Sequence, residues 1–79
     1  MIDGFEAIVL SHQVDGRYCT INSARTAAVY LRRNWPAKRG PAHKTALRTC
    51  LDALNRKEHP DAARAAFLAA LREAGIGLR

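Results

Sequence analysis

The amino-acid sequence predicts an α+β fold in which an N-terminal β-hairpin packs against three α-helices. An Asp-Gly dipeptide near the N-terminus lies between two stretches that are rich in strand-forming residues. Three later segments carry apolar residues at the three- and four-residue spacing of amphipathic helices. The chain has 79 residues, too few for a second hydrophobic core. We therefore expect residues 1–79 to form one small domain.

The predicted hairpin turns at Asp15-Gly16, a dipeptide that suits the two positive φ angles of a type I′ turn. The register that follows from a two-residue loop gives three cross-strand pairs: Val14 with Arg17, His12 with Cys19, and Leu10 with Ile21. One face then carries four apolar side chains, namely Ile8, Leu10, Cys19 and Ile21. We expect the helices to cover this face, because a two-stranded sheet is only marginally stable alone.

The first helix is predicted from about residue 23 to residue 34. Asn22 or Ser23 can cap its N-terminus. It ends before Pro36, because a proline disfavours helical geometry at the residue that precedes it, here Trp35. The apolar stripe of this helix comprises Ala24, Ala27, Ala28, Leu31 and Trp35.

The second and third helices both begin at a proline, which suits the first helical position because its missing N–H has no partner there. The pattern predicts the second helix over Pro41–Asn55, with Asn55 as a left-handed terminator, and the third over Pro60–Ala74, before Gly75. Residues 75–79 then form either a frayed tail or a short third strand.

Two segments, NWPAKRGPAHKTALRTCLDAL and DAARAAFLAALREAGI, resemble the pattern of the bacterial domain-of-unknown-function family 982. The resemblance covers the chain from about Ile8 onward, and Asn55-Arg56 departs from it where a glycine is expected. It implies a strand pair followed by three helices, and it implies no activity, cofactor or catalytic residue. The matching positions are Trp35, Pro36, Gly40, Ala46, Cys50, Ala53, Ala63, Arg64, Phe67 and Ala70.

The composition favours a cytoplasmic protein. Two cysteines without CxxC spacing are too few for a disulfide scaffold, so reduced thiols are expected. No apolar stretch approaches the roughly 20 residues that span a bilayer. The first ten residues lack the basic region and cleavage site of a signal peptide. We therefore expect neither secretion nor membrane insertion.

The sequence indicates no catalytic constellation, so we expect the protein not to be an enzyme and to bind no metal or cofactor. His43 and Cys50 share a helical face, but seven residues place their Cα atoms about 10 Å apart, too far for a thiolate–imidazole pair. His12 and Cys19, with Cys50 or His43, are candidate metal ligands that lack the spacing of zinc modules. Core packing is the simpler interpretation of all four side chains.

Positive charge is concentrated in the middle of the chain. The net charge is +6, and residues 25–57 carry nine cations against one anion, or +8. If the outer sides of the first two helices face the same way, these cations form a strip that could bind nucleic acid or another polyanion. A solvated basic surface is the simpler interpretation. The candidate residues are Arg25, Arg32, Arg33, Lys38, Arg39, Lys44 and Arg48.

A protein interface is the other candidate site. Val29 on the first helix and Leu68 on the third are apolar residues on outer faces, with Arg64 and Arg72 flanking Leu68. The sequence thus predicts a small, non-enzymatic interaction or regulatory module that binds a protein partner or forms a homodimer. The alternative is a nucleic-acid or polyanion-binding module that uses the basic strip.

Overall fold

The computed structural model describes residues 4–79, an antiparallel hairpin followed by three helical segments. The predicted α+β class and the order of two strands and three helices are confirmed. The first predicted helix consists of a short α-helix that continues directly as a π-helical turn. The elements, in chain order, are β1 (Gly4–Val14), β2 (Arg17–Ser23), α1 (Ala24–Val29), the π turn (Tyr30–Asn34), α2 (Pro41–Leu54) and α3 (Pro60–Ala74).

The hairpin turn has the predicted geometry, since Asp15 and Gly16 have φ angles of 53° and 78°. The pairing of Val14 with Arg17 is confirmed. Beyond it, the predicted pairs of His12 with Cys19 and Leu10 with Ile21 are wrong, because β1 bulges. Three residues of β1, 10–12, lie opposite the single residue Cys19, so the register shifts and Ile21 pairs with Ile8.

The bulge does not change which side chains form the apolar face of the hairpin. A register shift of two residues leaves every side chain on its original face. Ile8, Leu10 and Ile21 are accordingly buried as predicted, and Cys19 is half-buried. The bulge therefore changes cross-strand neighbours without changing the hydrophobic core.

Residues 77–79 lie against the free edge of β1. Leu78 forms an isolated antiparallel bridge with Leu10. The Ser11 N–H donates to the Gly77 carbonyl at 3.0 Å, and the Arg79 N–H donates to the Val9 carbonyl at 2.8 Å. The C-terminal segment thus covers part of this edge. Because it forms a single bridge, it does not make a third strand.

The helix boundaries follow from the local sequence with one correction. Ser23 caps α1, and its hydroxyl and that of Thr26 form a reciprocal capping box. Gly75 ends α3 in the left-handed conformation. At the end of α2, the prediction that Asn55 is left-handed is wrong, because Asn55 has φ −90° and Arg56 takes the left-handed φ of 62°.

Pro36 explains the side-chain contacts that hold the π turn. Proline has no N–H, so it cannot donate to the carbonyl four or five residues earlier, which belongs to Arg32 or Leu31. Both carbonyls have side-chain donors instead. His43 Nε2 donates to the Leu31 carbonyl at 2.7 Å, and the Arg39 guanidinium donates to the Arg32 carbonyl at 2.7 Å. These two bonds tie the end of the first helix to α2 and to the loop before it.

An aromatic cluster fills the centre of the core. The Tyr30 ring meets Trp35 and Phe67 edge-to-face, with ring centroids 5.7 and 6.0 Å apart, and Trp35 meets His43 in the same way at 5.1 Å. Tyr30 and Phe67 are fully or almost fully buried, whereas Trp35 is half-buried. The cluster joins the π turn, α2 and α3.

Candidate binding groove

A groove of about 560 Å³ lies between the outer side of the first helix and the C-terminal half of α2. We call it the α1–α2 groove. Its apolar floor consists of Ala28, Val29, Leu51 and Leu54, and its arginine rim consists of Arg25, Arg32 and Arg33.

The apolar floor is open to solvent. Val29 is 46% exposed and Leu51 is 38% exposed. They are two of the four large hydrophobic residues of residues 4–79 that are this exposed, and the other two, Tyr18 and Leu78, lie elsewhere. Single exposed aliphatic residues are common on protein surfaces, but these two line the same groove, where one bound molecule would cover both. The floor is therefore a candidate contact surface.

The arginine rim has no acidic partner in the described part of the chain. Arg25, Arg32 and Arg33 are all exposed. The ion pairs found within residues 4–79 are elsewhere, between Arg64 and Glu6 and between His59 and Asp61. The three guanidinium groups therefore give the groove a positive potential that a bound anion would neutralise.

The other four cations of the predicted strip lie outside this groove. Arg39 and Lys44 line a second cavity of about 500 Å³ at the start of α2, and Lys38 and Arg48 are exposed and line neither cavity. Arg39 also has a structural role, because it donates to the Arg32 carbonyl. The structure thus brings three of the seven predicted cations together in one groove.

The N-terminus of α2 lies near Lys38 and Arg39, and free N–H groups at a helix N-terminus can bind an anion. It is already occupied, because the Glu73 carboxylate accepts the Ala42 N–H through oxygens at 3.1 and 3.2 Å. Gly40 permits this approach, since a Cβ at that position would overlap the carboxylate. Glu73 therefore caps α2 from α3 and disfavours a bound anion there.

The four residues predicted as a protein interface separate in the structure. The prediction that Leu68 lies on an outer face is wrong, because Leu68 is half-buried and packs against the core. Arg64 bonds to the hairpin, donating from Nε to the Glu6 carbonyl at 3.0 Å, while Arg72 is exposed. Val29 lies in the α1–α2 groove, among the arginines that were predicted to bind polyanions.

Sequence reasoning missed Leu51 and Leu54 as part of this site. Cys50 and Ala53 on the apolar stripe of α2 are buried, whereas Leu51 is exposed and Leu54 is half-buried. The available signal was the width of that apolar stripe, since adjacent apolar positions at 50, 51, 53 and 54 cover more of the helix surface than one neighbouring helix can bury.

Cys50, His43 and His12 have contacts in or beside the core. Cys50 is fully buried, and burial raises the pKa of its thiol to about 11, which keeps it protonated and weakly nucleophilic. His43 bonds to the Leu31 carbonyl, and His12 Nδ1 lies 3.0 Å from the Tyr30 hydroxyl. Across residues 4–79, no three His, Cys, Asp or Glu side chains gather in a way that could hold a metal ion.

Two further findings concern membranes and known proteins. Within residues 4–79, none of the helices has the length and apolar character needed to span a bilayer. Searches of the curated proteins and of the solved structures found no match. A family model described as "Protein of unknown function (DUF982)" matches residues 6–78, nearly the whole chain. The chain therefore belongs to the DUF982 family.

Proposed function

We propose that the protein is a non-enzymatic interaction module that binds a protein partner through the α1–α2 groove. The observation that carries this proposal is the combination of an exposed apolar floor with an arginine rim that lacks acidic partners within residues 4–79. The centre of a protein interface is characteristically apolar. Lysine, glutamate and aspartate are depleted there, whereas arginine is enriched.

The size and chemistry of the groove support such contact. The groove is concave, with a volume of about 560 Å³, so side chains of a partner could enter it. Covering Val29 and Leu51 would remove apolar surface from water, a favourable contribution that offsets part of the entropy cost of association. The arginines would speed association with an acidic surface and orient it.

Nucleic acid is the second candidate ligand, because the seven cations of the predicted strip are all exposed. Single-stranded nucleic acid also needs aromatic faces on which bases can stack. Tyr30 and Trp35 turn their rings into the aromatic cluster, and Tyr30 is only 2% exposed. Among the described residues, none of the aromatic side chains lines the α1–α2 groove. The apolar floor thus favours a protein partner.

A cytoplasmic location is part of the same proposal. Cys19 and Cys50 are both free thiols, which is the usual state of cysteines in a reducing compartment.

Quantitative affinity capture tests the proposal. The full chain, its Val29→Glu variant and its Leu78→Glu variant are each used as bait in extracts of the cells that express the protein, after nuclease treatment. Val29→Glu puts a carboxylate between the arginines and should preserve the fold, whereas Leu78 is exposed and outside the groove. We expect the captured amount of one protein, identified by its sequence, to fall about tenfold with the Val29→Glu bait and to stay unchanged with the Leu78→Glu bait.

Two results would contradict the proposal. One is a captured protein that Val29→Glu retains fully, since its binding would not need the groove. The other is a capture that occurs only in a parallel extract without nuclease treatment, since nucleic acid would then be the ligand.

A further inference from the structure

We propose that the segment bound in the α1–α2 groove is an acidic, amphipathic α-helix of another protein. This inference rests on the proposed function and specifies the partner by its chemistry: apolar residues along one side of the helix, with Asp or Glu beside them.

The charge around the groove indicates that the partner helix is acidic. Arg25, Arg32 and Arg33 surround the floor, and within residues 4–79 none of them has an acidic partner. Residues 25–57 carry nine cations and one anion. A partner that places carboxylates beside these arginines gains attraction, and a neutral or basic one gains none.

The same charge disfavours a second copy of this chain as the occupant. Each copy carries +6, so two copies that meet at their most basic segment repel each other. An acidic partner is therefore favoured over a homodimer at this surface.

The walls of the groove indicate that the bound segment is a helix and not an extended peptide. Both walls are helical, so among residues 4–79 the groove offers no strand edge to an extended peptide. A third helix can instead insert its side chains between the two. The wall from Arg25 to Arg33 is about 12 Å long, which matches about two turns of a partner helix.

Two turns accommodate apolar anchors at positions i, i+3 or i+4, and i+7 of the partner. Such anchors would cover Val29, Leu51 and Leu54, while acidic residues on either side of the anchor stripe would reach the arginines. The floor then contributes most to the lifetime of the complex, and the rim contributes to the association rate and to its dependence on salt.

Calorimetric titration of the full chain with synthetic peptides tests this inference. The probe is a peptide of about 15 residues with leucines on one helical stripe and glutamates beside them. A control peptide has the same composition with the leucines scrambled off the stripe. We expect the striped peptide to bind at least about tenfold more tightly than the scrambled one and to gain helical circular dichroism when bound.

Paired variants locate the binding site. Val29→Glu and Arg33→Glu should each weaken binding of the striped peptide by about tenfold. Leu78→Glu and Lys57→Glu likewise replace an aliphatic residue and a cation with glutamate, but at exposed positions outside the groove, and should alter the dissociation constant by less than about twofold.

Two calorimetric results would overturn the inference: equal affinity for the two peptides, or an affinity for the striped peptide that Val29→Glu leaves unchanged. A third would come from sedimentation, if the chain forms a concentration-dependent dimer that Val29→Glu dissociates. These failures are distinguishable from failure of the proposed function. If no striped peptide binds while capture of a protein still depends on Val29, the partner is not an acidic helix but the groove remains its site.

Discussion

Replacing Phe67 with alanine is expected to lower the free energy of unfolding by about 3–5 kcal/mol. Phe67 is fully buried, and its ring packs edge-to-face against Tyr30 and Trp35, with centroids 6.0 and 6.4 Å apart. Alanine would lose these contacts and leave a cavity at the centre of the core. A domain of this length has a total stability of roughly 4–12 kcal/mol, so the variant should lose a large share of it.

Denaturant unfolding followed by circular dichroism measures this loss. Phe67→Leu is the matched control, because leucine keeps much of the buried volume and should cost less than half as much. Trp35→Ala should also cost less than Phe67→Ala, since Trp35 is only half-buried. A loss below about 1 kcal/mol for Phe67→Ala would show that the aromatic cluster is not the centre of the core.

Replacing His43 with alanine is expected to cost about 2–4 kcal/mol. His43 Nε2 donates to the Leu31 carbonyl, a buried acceptor that Pro36 cannot serve. Losing this donor leaves the carbonyl without a partner, which costs about 1–3 kcal/mol. The lost contact between the His43 and Trp35 rings, whose centroids are 5.1 Å apart, adds to that.

Arg39→Ala is the matched control for His43. Arg39 serves the neighbouring carbonyl, that of Arg32, but this bond is exposed to solvent. Water can replace the guanidinium there, so the expected cost is within about 0.5 kcal/mol. Denaturation curves for both variants compare the two sites. If the two substitutions cost the same, the carbonyls freed by Pro36 do not explain how the π turn is held.

The sequence predicted those parts of the fold that neighbouring residues determine. The Asp15-Gly16 turn, the cap at Ser23 and the helix starts at Pro41 and Pro60 depend on residues a few positions apart, and each lies where it was predicted. The departures depend on contacts between distant residues. Glu73 caps α2 from 31 positions away, and the bond from His43 to Leu31 spans 12 positions.

The candidate site was predictable in its residue types but not in its grouping. Helical spacing placed Val29, Arg32 and Arg33 on the outer side of the first helix. It could not show that Leu51 and Leu54 of α2 lie beside them, because that depends on how the two helices pack. Val29, predicted as a protein contact, and Arg32 and Arg33, predicted as part of a cationic strip, therefore line the same groove.

The central claim is that a protein partner contacts the α1–α2 groove, and site-specific photo-crosslinking tests it most directly. Benzoylphenylalanine would replace Leu51 in cells that express the protein, with the same substitution at Leu78 as the control. The account predicts an adduct with one polypeptide from position 51, none from position 78, and loss of the adduct with Arg33→Glu. Equal adducts from both positions, or adducts with nucleic acid alone, would contradict it.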